Sequence, residues 1–369
     1  SIVKNLFNNK KILITGNTGF KGAWLTLYLK KICNAELIGF SDKFHWKDSI
    51  FKISNINNYI KQYWGLIENF NDLNSTVSEN NPDIVFHFAA QPLVSLGYQN
   101  PKSTFDVNMN GTINLLESLR NLSKNVYVII ITSDKVYKNL SGNLLKEESI
   151  LGGACPYSTS KACVELIAET YSNMCKNLHI NTVRAGNVIG GGDWSKNRII
   201  PDIFRSYINN KPLRIRNPNA VRPWSYVLDI VRGYLYTAEY LIKSEKKIFQ
   251  SFNFAADKDI KSVNDICNYI CKVINNKNKI IYDASFIGKE KEYINLSNQK
   301  AKYTLSWHPL YNYTNMIKYT TEWYKSFLNK KKPLEISREL LEKYLIDLRI
   351  DTQETKKFEE NSIKGTQNA

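Results

Sequence analysis

The sequence predicts an α/β protein with a doubly wound parallel sheet of the Rossmann type and a smaller C-terminal α/β lobe. Three observations favour this fold class. Apolar strand-like runs alternate with helical periods through the first half, a glycine-rich turn joins the first strand to the first helix, and the regular alternation ends near Gly190. Several strands are continuous apolar runs, which is typical of parallel sheets covered on both faces.

The predicted elements follow the order of a βαβ repeat. In the first half they are KILITG (11–16), a helix over 20–31, ELIGF (36–40), DIVFHFAA (83–90), a helix over 103–122, VYVIIITS (126–133), a helix over 158–173 and INTVRAGNV (180–188). Later elements are a strand over 212–216 and helices around 226–242 and 263–274. We therefore expect a Rossmann domain over 1–190, to which some later segments return, a ligand-binding lobe over 191–350 and a frayed polar tail over 351–369.

The composition is that of an ordinary globular protein. Of 369 residues, 43% are hydrophobic and 23% charged, and no apolar run approaches the ~20 residues that span a bilayer. The amino terminus lacks a signal-peptide pattern, and six scattered cysteines show no metal-ligand spacing, so we expect a cytoplasmic protein with reduced thiols and no metal. The charge of +16 is spread along the chain, which argues against nucleic-acid binding and suits an anionic small substrate.

The glycine-rich turn carries Gly16, Gly19 and Gly22 at spacings of three. Such glycines allow a tight turn, close approach of the backbone to a pyrophosphate and close packing of helix on strand. The turn predicts a nicotinamide-dinucleotide site, and a turn without a ligand is the alternative. Asp42, after the second strand, favours NAD over NADP, because an acidic side chain there suits a free ribose 2′-hydroxyl. Lys43 beside it weakens this inference, and Asp42 could also be a simple turn residue.

Two further segments carry candidate catalytic groups. Tyr157 and Lys161 are four residues apart at the start of a predicted helix, so both side chains share one face. A nearby ammonium lowers the pKa of a phenol and lets it act as a base. Ser133, Asp134 and Lys135 follow the strand over 126–133, and they add an acid and an amine that simple hydride transfer does not need. A polar loop that caps the strand is the alternative for Asp134 and Lys135.

Taken together, these segments resemble the CDP-glucose 4,6-dehydratases, a branch of the extended short-chain dehydrogenase/reductase family. The Asp134-Lys135 pair separates this branch from the dTDP-glucose dehydratases, which carry Asp-Glu. The matching segments are TGNTGFKGAWL (15–25), PDIVFHFAAQPLV (82–94), TSDKVY (132–137), PYSTSKACVEL (156–166), VRAGNVIGGGDW (183–194), RIIPDI (198–203) and RNPNAVRPW (216–224).

The resemblance implies a redox-neutral dehydration of CDP-glucose to CDP-4-dehydro-6-deoxyglucose on one bound NAD. Tyr157, with Lys161 and Ser133, would take the C4 hydroxyl proton. Lys135 would take the C5 proton, and Asp134 would protonate the departing C6 hydroxyl. The residues expected to bind the cofactor are Gly16, Asn17, Thr18, Gly19, Phe20, Gly22, Asp42, Ala89, Tyr157 and Lys161.

The same resemblance implies a substrate site and a place in metabolism. Asn187, Arg198, Arg216 and Arg222 are the expected partners of the substrate phosphates, since guanidinium groups bind phosphate bidentately. A surface role for Arg198 and Arg216 is the alternative. The resemblance also implies a homodimer or a higher homo-oligomer, in which the helices over 103–122 and 157–176 pair the subunits. These helices are apolar enough to belong to the core instead. The implied product is used for 6-deoxy sugars of a bacterial surface polysaccharide such as the lipopolysaccharide O-antigen.

The chain also departs from the family pattern. Asn17, Ser95 and Ser225-Tyr226 replace His, Arg and Gln-His, and an acidic residue usual near Asn69 for the adenine amino group is missing. We expect Ser95 and Ser225-Tyr226 to lie in segments that face the ligand, so another nucleotide base or hexose stays open. Two other functions stay open as well. A nucleotide-sugar 4-epimerase would need Tyr157 and Lys161 but not Asp134 or Lys135, and a catalytically idle binding protein would need none of them.

Overall fold

The computed structural model describes residues 2–42, 48–138, 144–257, 261–282 and 294–367, with side chains described from Asn5 to Gln353 within these ranges. Lys43, which bears on the NAD prediction, lies outside the described residues. Within the described part of the chain, no helix is long and apolar enough to cross a membrane, and no cluster of three potential metal ligands is present. All six cysteines are free thiols.

A seven-stranded parallel sheet forms the centre of the protein, in the order β12-β7-β5-β4-β1-β2-β3. This order confirms the doubly wound Rossmann prediction, with the topological switch between β1 and β4. The late strand β12 joins the sheet beside β7, so the chain returns to the sheet after Gly190. The sheet strands are β1 (Lys11–Thr15), β2 (Glu36–Ser41), β3 (Lys61–Trp64), β4 (Ile84–His87), β5 (Val126–Ile131), β7 (Leu178–Ala185) and β12 (Gln250–Phe254).

Short strands form four two-stranded pairs outside this sheet. The pairs are β6 (Leu144–Leu145) with β15 (Asn295–Leu296), β8 (Val188–Ile189) with β11 (Ser225–Tyr226), β9 (Leu213–Ile215) with β14 (Ile280–Tyr282), and β10 (Val221–Arg222) with β13 (Lys261–Ser262). They belong to the part of the chain that packs over the carboxyl ends of the sheet strands.

Helices cover both faces of the sheet. They are α1 (Ile2–Phe7), α2 (Phe20–Ile32), α3 (Ile50–Ile53), α4 (Phe70–Asn80), α5 (Val94–Gln99), α6 (Pro101–Phe105), α7 (Gly111–Arg120), α8 (Pro156–Met174), α9 (Ile199–Asn209), α10 (Val227–Lys243), α11 (Val263–Val273), α12 (Gln299–Leu305), α13 (Tyr313–Leu328) and α14 (Pro333–Gln367).

Alternate residues of each strand enter different layers of the core. In β1, Ile12 and Ile14 pack into the layer that contains α2 and α10, whereas Leu13 packs into the layer beneath α4, α7 and α8. Successive strand side chains point to opposite faces, and both faces here are covered. This burial explains the continuous apolar runs in the sequence.

Two elements differ from the sequence prediction. The single helix expected over 103–122 is interrupted by a π-helical stretch, Asp106–Asn110, between α6 and α7. The last helix continues through residue 351 to Gln367, where a frayed tail was expected. The π-helical stretch brings buried Asn108 against Ser160 of α8, where its Nδ2 donates to the hydroxyl at 2.8 Å. This tertiary contact lies beyond what helical periodicity can show.

Candidate active site

A cleft of about 990 Å³ lies at the carboxyl ends of the sheet strands, between the sheet and the C-terminal lobe. Parallel α/β sheets bind ligands in this position, because their loops diverge at the topological switch. The cleft brings together the predicted residues Gly16, Thr18, Gly19, Phe20, Gly22, Asp42, Ala89, Ser133, Asp134, Lys135, Tyr157, Lys161, Asn187, Arg198, Arg216 and Arg222.

The glycine turn forms one wall of the cleft. Gly16 has a φ of +70°, and a Cβ atom at this position would lie 2.6 Å from the backbone nitrogen of Ala89. A Cβ atom at Gly22 would lie 2.7 Å from the carbonyl oxygen of Gly16. Gly19 differs from both, because among the described residues its Cβ would lie close to that same oxygen alone, at 3.3 Å. Gly16 and Gly22 thus shape the turn, and Gly19 leaves space on its cleft side.

The first turn of α2 offers unshared backbone donors to the cleft. Gly19 is the N-cap residue, no described side chain caps the helix, and its first turn has no acidic residue. Uncapped N–H groups together with the positive end of the helix dipole form a phosphate site. The turn therefore fits the pyrophosphate of a dinucleotide.

Asn17 is the one predicted cofactor residue that does not line the cleft. Its side chain is fully buried behind the turn and donates to Gln62 Oε1 at 2.6 Å. Thr18, in contrast, lines the cleft and lies 2.9 Å from the Ser41 hydroxyl at the end of β2. Asn17 therefore supports the turn from behind.

The ribose end of the predicted cofactor site carries two acidic side chains. Asp42 lines the cleft directly after β2. Glu68 lines it as well, whereas Asn69 beside it is the N-cap of α4 and accepts hydrogen bonds from the backbone of that helix. Glu68 is thus an acidic side chain at the cleft beside Asn69.

Ser133, Asp134 and Lys135 leave β5 in a single 3-10 turn. The Ser133 hydroxyl caps this turn by accepting the Lys135 N–H at 3.2 Å, and it donates to Asp134 Oδ1 at 3.0 Å. Asp134 is buried, and its Oδ2 has no hydrogen-bond partner among the described residues. Burial raises the Asp134 pKa, against the charges of Lys135 and Arg222 and the Ser133 hydrogen bond. The raised pKa agrees with the expectation that Asp134 carries a proton, because burial disfavours a carboxylate.

Tyr157 and Lys161 lie on the buried face of α8, beside this turn. The Tyr157 phenol lies close enough to Ser133 for that hydroxyl to lower the Tyr157 pKa. Burial raises the Tyr157 pKa, and the Ser133 hydrogen bond and the charge of Arg198 only partly offset this. The expectation that Lys161 lowers the Tyr157 pKa is therefore wrong. Lys161 instead donates from Nζ to the carbonyl oxygen of Ile131 at 3.0 Å.

The Lys161 pKa is lowered to about 8, chiefly by burial, with Glu165 acting in the opposite direction. An ammonium buried without a carboxylate in direct contact loses solvation that one backbone carbonyl does not replace. Lys161 therefore changes charge near physiological pH.

The four predicted phosphate-binding residues all line the cleft, in different settings. Arg222 is buried and its charge reaches Asp134. Arg198 is 41% exposed and lies 3.8 Å from Asp193, and Arg216 donates to the Asn197 carbonyl at 2.7 Å. Asn187 links β7 to β8. The charge of Arg222 thus acts on Asp134, whereas the charge of Arg198 acts on Tyr157.

Lys21 is a cleft residue that sequence reasoning missed. It occupies the first turn of α2, and its pKa is lowered to about 7 by burial, by Arg198 and by Lys161. Its position inside the glycine segment was the available signal, but the charged neighbours come from distant parts of the chain.

Of the positions that depart from the family pattern, Ser95 lines the cleft as expected. The expectation for Ser225 and Tyr226 is wrong, since both are buried and neither lines the cleft. Tyr226 packs against Tyr311 and Tyr344 in the core, because β11 pairs with β8 and turns its side chains inward.

The fold and the site define an extended short-chain dehydrogenase/reductase. A family model described as GDP-mannose 4,6 dehydratase matches residues 13–320, and the chain belongs to this family. A curated relative, the CDP-glucose 4,6-dehydratase of Salmonella typhimurium, is 36% identical over 354 residues, which cover 93% of this chain and 98% of the relative.

Solved structures share the fold. A UDP-glucose 4-epimerase from Thermotoga maritima, with UDP-glucose, has a TM-score of 0.76 at 23% identity and covers 86% of this chain and 99% of its own. The dTDP-glucose 4,6-dehydratase DesIV from Streptomyces venezuelae, with NAD and TYD bound, has a TM-score of 0.73 at 19% identity. The match covers 88% of this chain and 99% of the DesIV chain. At these identities the likeness concerns the fold alone.

Proposed function

We propose that the protein is an NAD-dependent hydro-lyase that converts CDP-glucose to CDP-4-dehydro-6-deoxyglucose. The observation that carries the proposal is the position of Asp134 and Lys135 in the same cleft as Tyr157, Lys161 and Ser133. Oxidation at C4 needs a hydride acceptor and one base, the role proposed for Tyr157 with Lys161 and Ser133. Elimination of water needs a second base and an acid, the roles proposed for Lys135 and Asp134. The Salmonella relative, named a CDP-glucose 4,6-dehydratase, supports this reaction.

The glycine turn and the end of β2 would hold NAD. Gly19 and the first-turn amides of α2 would bind the pyrophosphate, and Asp42 would bind the adenosine ribose. The chemistry that bound NAD supplies is removal of a hydride from C4 and its return to C6. A dTDP-glucose 4,6-dehydratase of the same fold was solved with NAD, which supports this assignment.

The side chains at the end of β5 and on α8 would move the protons. Tyr157, which lines the cleft beside Ser133, takes the proton of the C4 hydroxyl. The C4 ketone acidifies the C5 proton, and Lys135 accepts it. Asp134 gives its proton to the C6 hydroxyl, which leaves as water. Lys135 returns its proton to C5 when C6 is reduced, and the proton that Tyr157 releases to solvent balances the one that Asp134 regains from solvent. Burial of Asp134 favours the protonated acid that this last step needs.

A basic side of the cleft would receive the diphosphate. Arg198, Arg216 and Arg222 approach from the C-terminal lobe, and Asn187 from the end of β7. Guanidinium groups offer paired donors to phosphate oxygens. The choice of cytidine rests on the named relative and on the segments that resemble its family, and Ser95 is the cleft residue that departs from that pattern.

We also propose that the protein is a homodimer whose product feeds 6-deoxy sugar synthesis. The outer face of α8 carries Leu166 and Met174, which are 55% and 57% exposed. Exposed apolar side chains on one helix are typical of a contact surface. Light scattering on the purified protein would measure the oligomeric state.

Incubation with CDP-, dTDP-, UDP- and GDP-glucose in parallel tests the reaction. We expect CDP-glucose to give the alkaline ultraviolet absorbance of a 4-keto-6-deoxy sugar. A 4-epimer without a ketone would identify an epimerase instead, and no turnover of any sugar would favour a binding protein. Lys135→Ala should still allow slow oxidation at C4, seen as the near-ultraviolet absorbance of reduced nicotinamide, whereas Tyr157→Phe should block it. Full dehydration by Lys135→Ala would contradict its role as the C5 base.

A further inference from the structure

A buried ion pair lies directly behind the end of β5, on the side away from the cleft. Glu165 of α8 and Arg184 of β7 have side chains that are 1% and 3% exposed. Arg184 Nε and Nη2 donate to the two carboxylate oxygens at 2.9 and 2.8 Å. This bidentate geometry fixes both groups relative to each other.

The pair contacts both ends of the segment 132–137, which carries Ser133, Asp134 and Lys135. At the first end, the Thr132 hydroxyl donates to Glu165 Oε1. At the other end, Arg184 Nη1 donates to the Tyr137 hydroxyl at 2.9 Å, and the guanidinium lies 5.1 Å from the centre of the Tyr137 ring. The three cleft residues are thus held between two anchored neighbours.

The remaining partners hold the pair in place from the sheet. Thr182 donates to Glu165 Oε2 at 2.6 Å, and Ser251 donates to the same oxygen at 3.2 Å. The carboxylate is therefore held by three hydroxyls and one guanidinium. Burial raises the Glu165 pKa, but Arg184 and these hydrogen bonds outweigh it and keep the pKa below its ordinary value.

A buried ion pair is a poor source of stability, because desolvation cancels much of the attraction between the charges. A fully satisfied polar network does specify one arrangement of the groups that it joins. Here the joined groups belong to α8, β7, β12 and the segment 132–137 that follows β5. Glu165 also lies on the helix that carries Tyr157 and Lys161, eight and four residues before it.

We infer that Glu165 and Arg184 are positioning residues that hold the segment 132–137 in register with Tyr157. The inference rests on the proposed function for the roles of Ser133, Asp134 and Lys135. Glu165 contacts the segment at Thr132, and Arg184 contacts it at Tyr137. The pair therefore acts on the cleft residues through these two neighbours. A displacement of about 1 Å at a reacting group costs on the order of 100-fold in rate.

The test uses two single variants, each of which removes one hydroxyl that donates to the Glu165 carboxylate. Thr132→Val deletes the bond from Glu165 to the segment, and Thr182→Val deletes a bond to the same carboxylate from β7. Both threonines are buried and each donates to one Glu165 oxygen, so the two variants are matched in chemistry. They spare Glu165 and Arg184, whose single replacement would leave a buried charge alone and endanger folding.

We expect Thr132→Val to lower kcat at least tenfold with the KM for CDP-glucose within about twofold, in line with the cost of misplacement. Thr182→Val should keep kcat within about twofold, and Thr132→Ser should restore it because the hydroxyl returns. Equal losses of kcat in the two valine variants, or an unchanged kcat in Thr132→Val, would overturn the inference in favour of a purely structural pair.

Hydrogen exchange of the backbone gives a readout that needs no substrate. The Lys135 amide is bonded to the Ser133 hydroxyl and the Val136 amide to the Ser133 carbonyl. Thr132→Val should speed exchange at these amides by about fivefold or more, and Thr182→Val should not, because local opening sets the exchange rate. Equal exchange in both variants would overturn the inference. Wild-type protein that fails to dehydrate CDP-glucose would instead contradict the proposed function, and the exchange measurement would still test the positioning.

Discussion

Replacement of Gly16 and Gly19 by alanine should separate a glycine that shapes the turn from one that makes room for a ligand. At Gly16 the φ of +70° is unfavourable for alanine by about 1–2 kcal/mol. The added Cβ would also lie 2.6 Å from the backbone nitrogen of Ala89, and overpacking of this kind costs about 1–3 kcal/mol. We therefore expect Gly16→Ala to lower the free energy of unfolding by about 2–5 kcal/mol.

Gly19→Ala is the matched control for stability. Gly19 has a φ of −73°, which alanine adopts freely, and within the described part of the chain its Cβ would meet the Gly16 carbonyl oxygen alone, at 3.3 Å. Its unfolding free energy should change by less than about 1 kcal/mol, because no strained backbone angle is involved. Its affinity for NAD should nevertheless fall, because the methyl group would occupy the cleft side of the turn.

Thermal unfolding and calorimetric titration with NAD measure the two effects separately. A loss of 2–5 kcal/mol corresponds to a Tm decrease of about 3–6 °C for a chain of 369 residues. A Gly16→Ala variant that melts within about 1 °C of the wild type would refute the argument from φ and backbone overlap. A Gly19→Ala variant that binds NAD like the wild type would refute the placement of the cofactor against this turn.

Three further changes test the charges in the cleft. Since the Lys161 pKa is about 8, its charge is present below that pH and lost above it, so kcat/KM should fall as pH rises through 8. Lys161→Arg should move this fall to higher pH. If the fall stays at the same pH in the variant, it arises from another group. Asp134→Asn should lower dehydration by about 100-fold or more, the usual contribution of a general acid, while ligand affinity stays near wild type. The Lys21 pKa of about 7 means that this side chain is charged at pH 6 and mostly neutral at pH 8.5. Titration calorimetry should therefore show that Lys21→Met weakens nucleotide-sugar binding by about tenfold at pH 6 and by less at pH 8.5. An equal loss at both pH values would contradict a charge effect.

Much of the fold and of the candidate site could be predicted from local patterns. Alternating apolar runs and helical periods indicated the parallel sheet, because the buried strands must be apolar on both faces. The spacing of Gly16, Gly19 and Gly22 placed the turn, and adjacency in the chain placed Asp134 and Lys135 beside Ser133. These features depend on neighbours within a few residues, which a sequence shows directly.

The tertiary structure decided the features that depend on distant segments. The Tyr157 pKa is raised where lysine four residues away predicted a lowered one, because the fold buries the phenol and turns the Lys161 ammonium toward Ile131. Lys21 acquires its low pKa from burial and from Arg198, about 180 residues further along the chain by sequence number. The sequence alone therefore determined which chemical groups are available and on which elements they lie. Only the folded chain determined their charges and contacts, because desolvation and hydrogen bonding depend on residues from many separate segments.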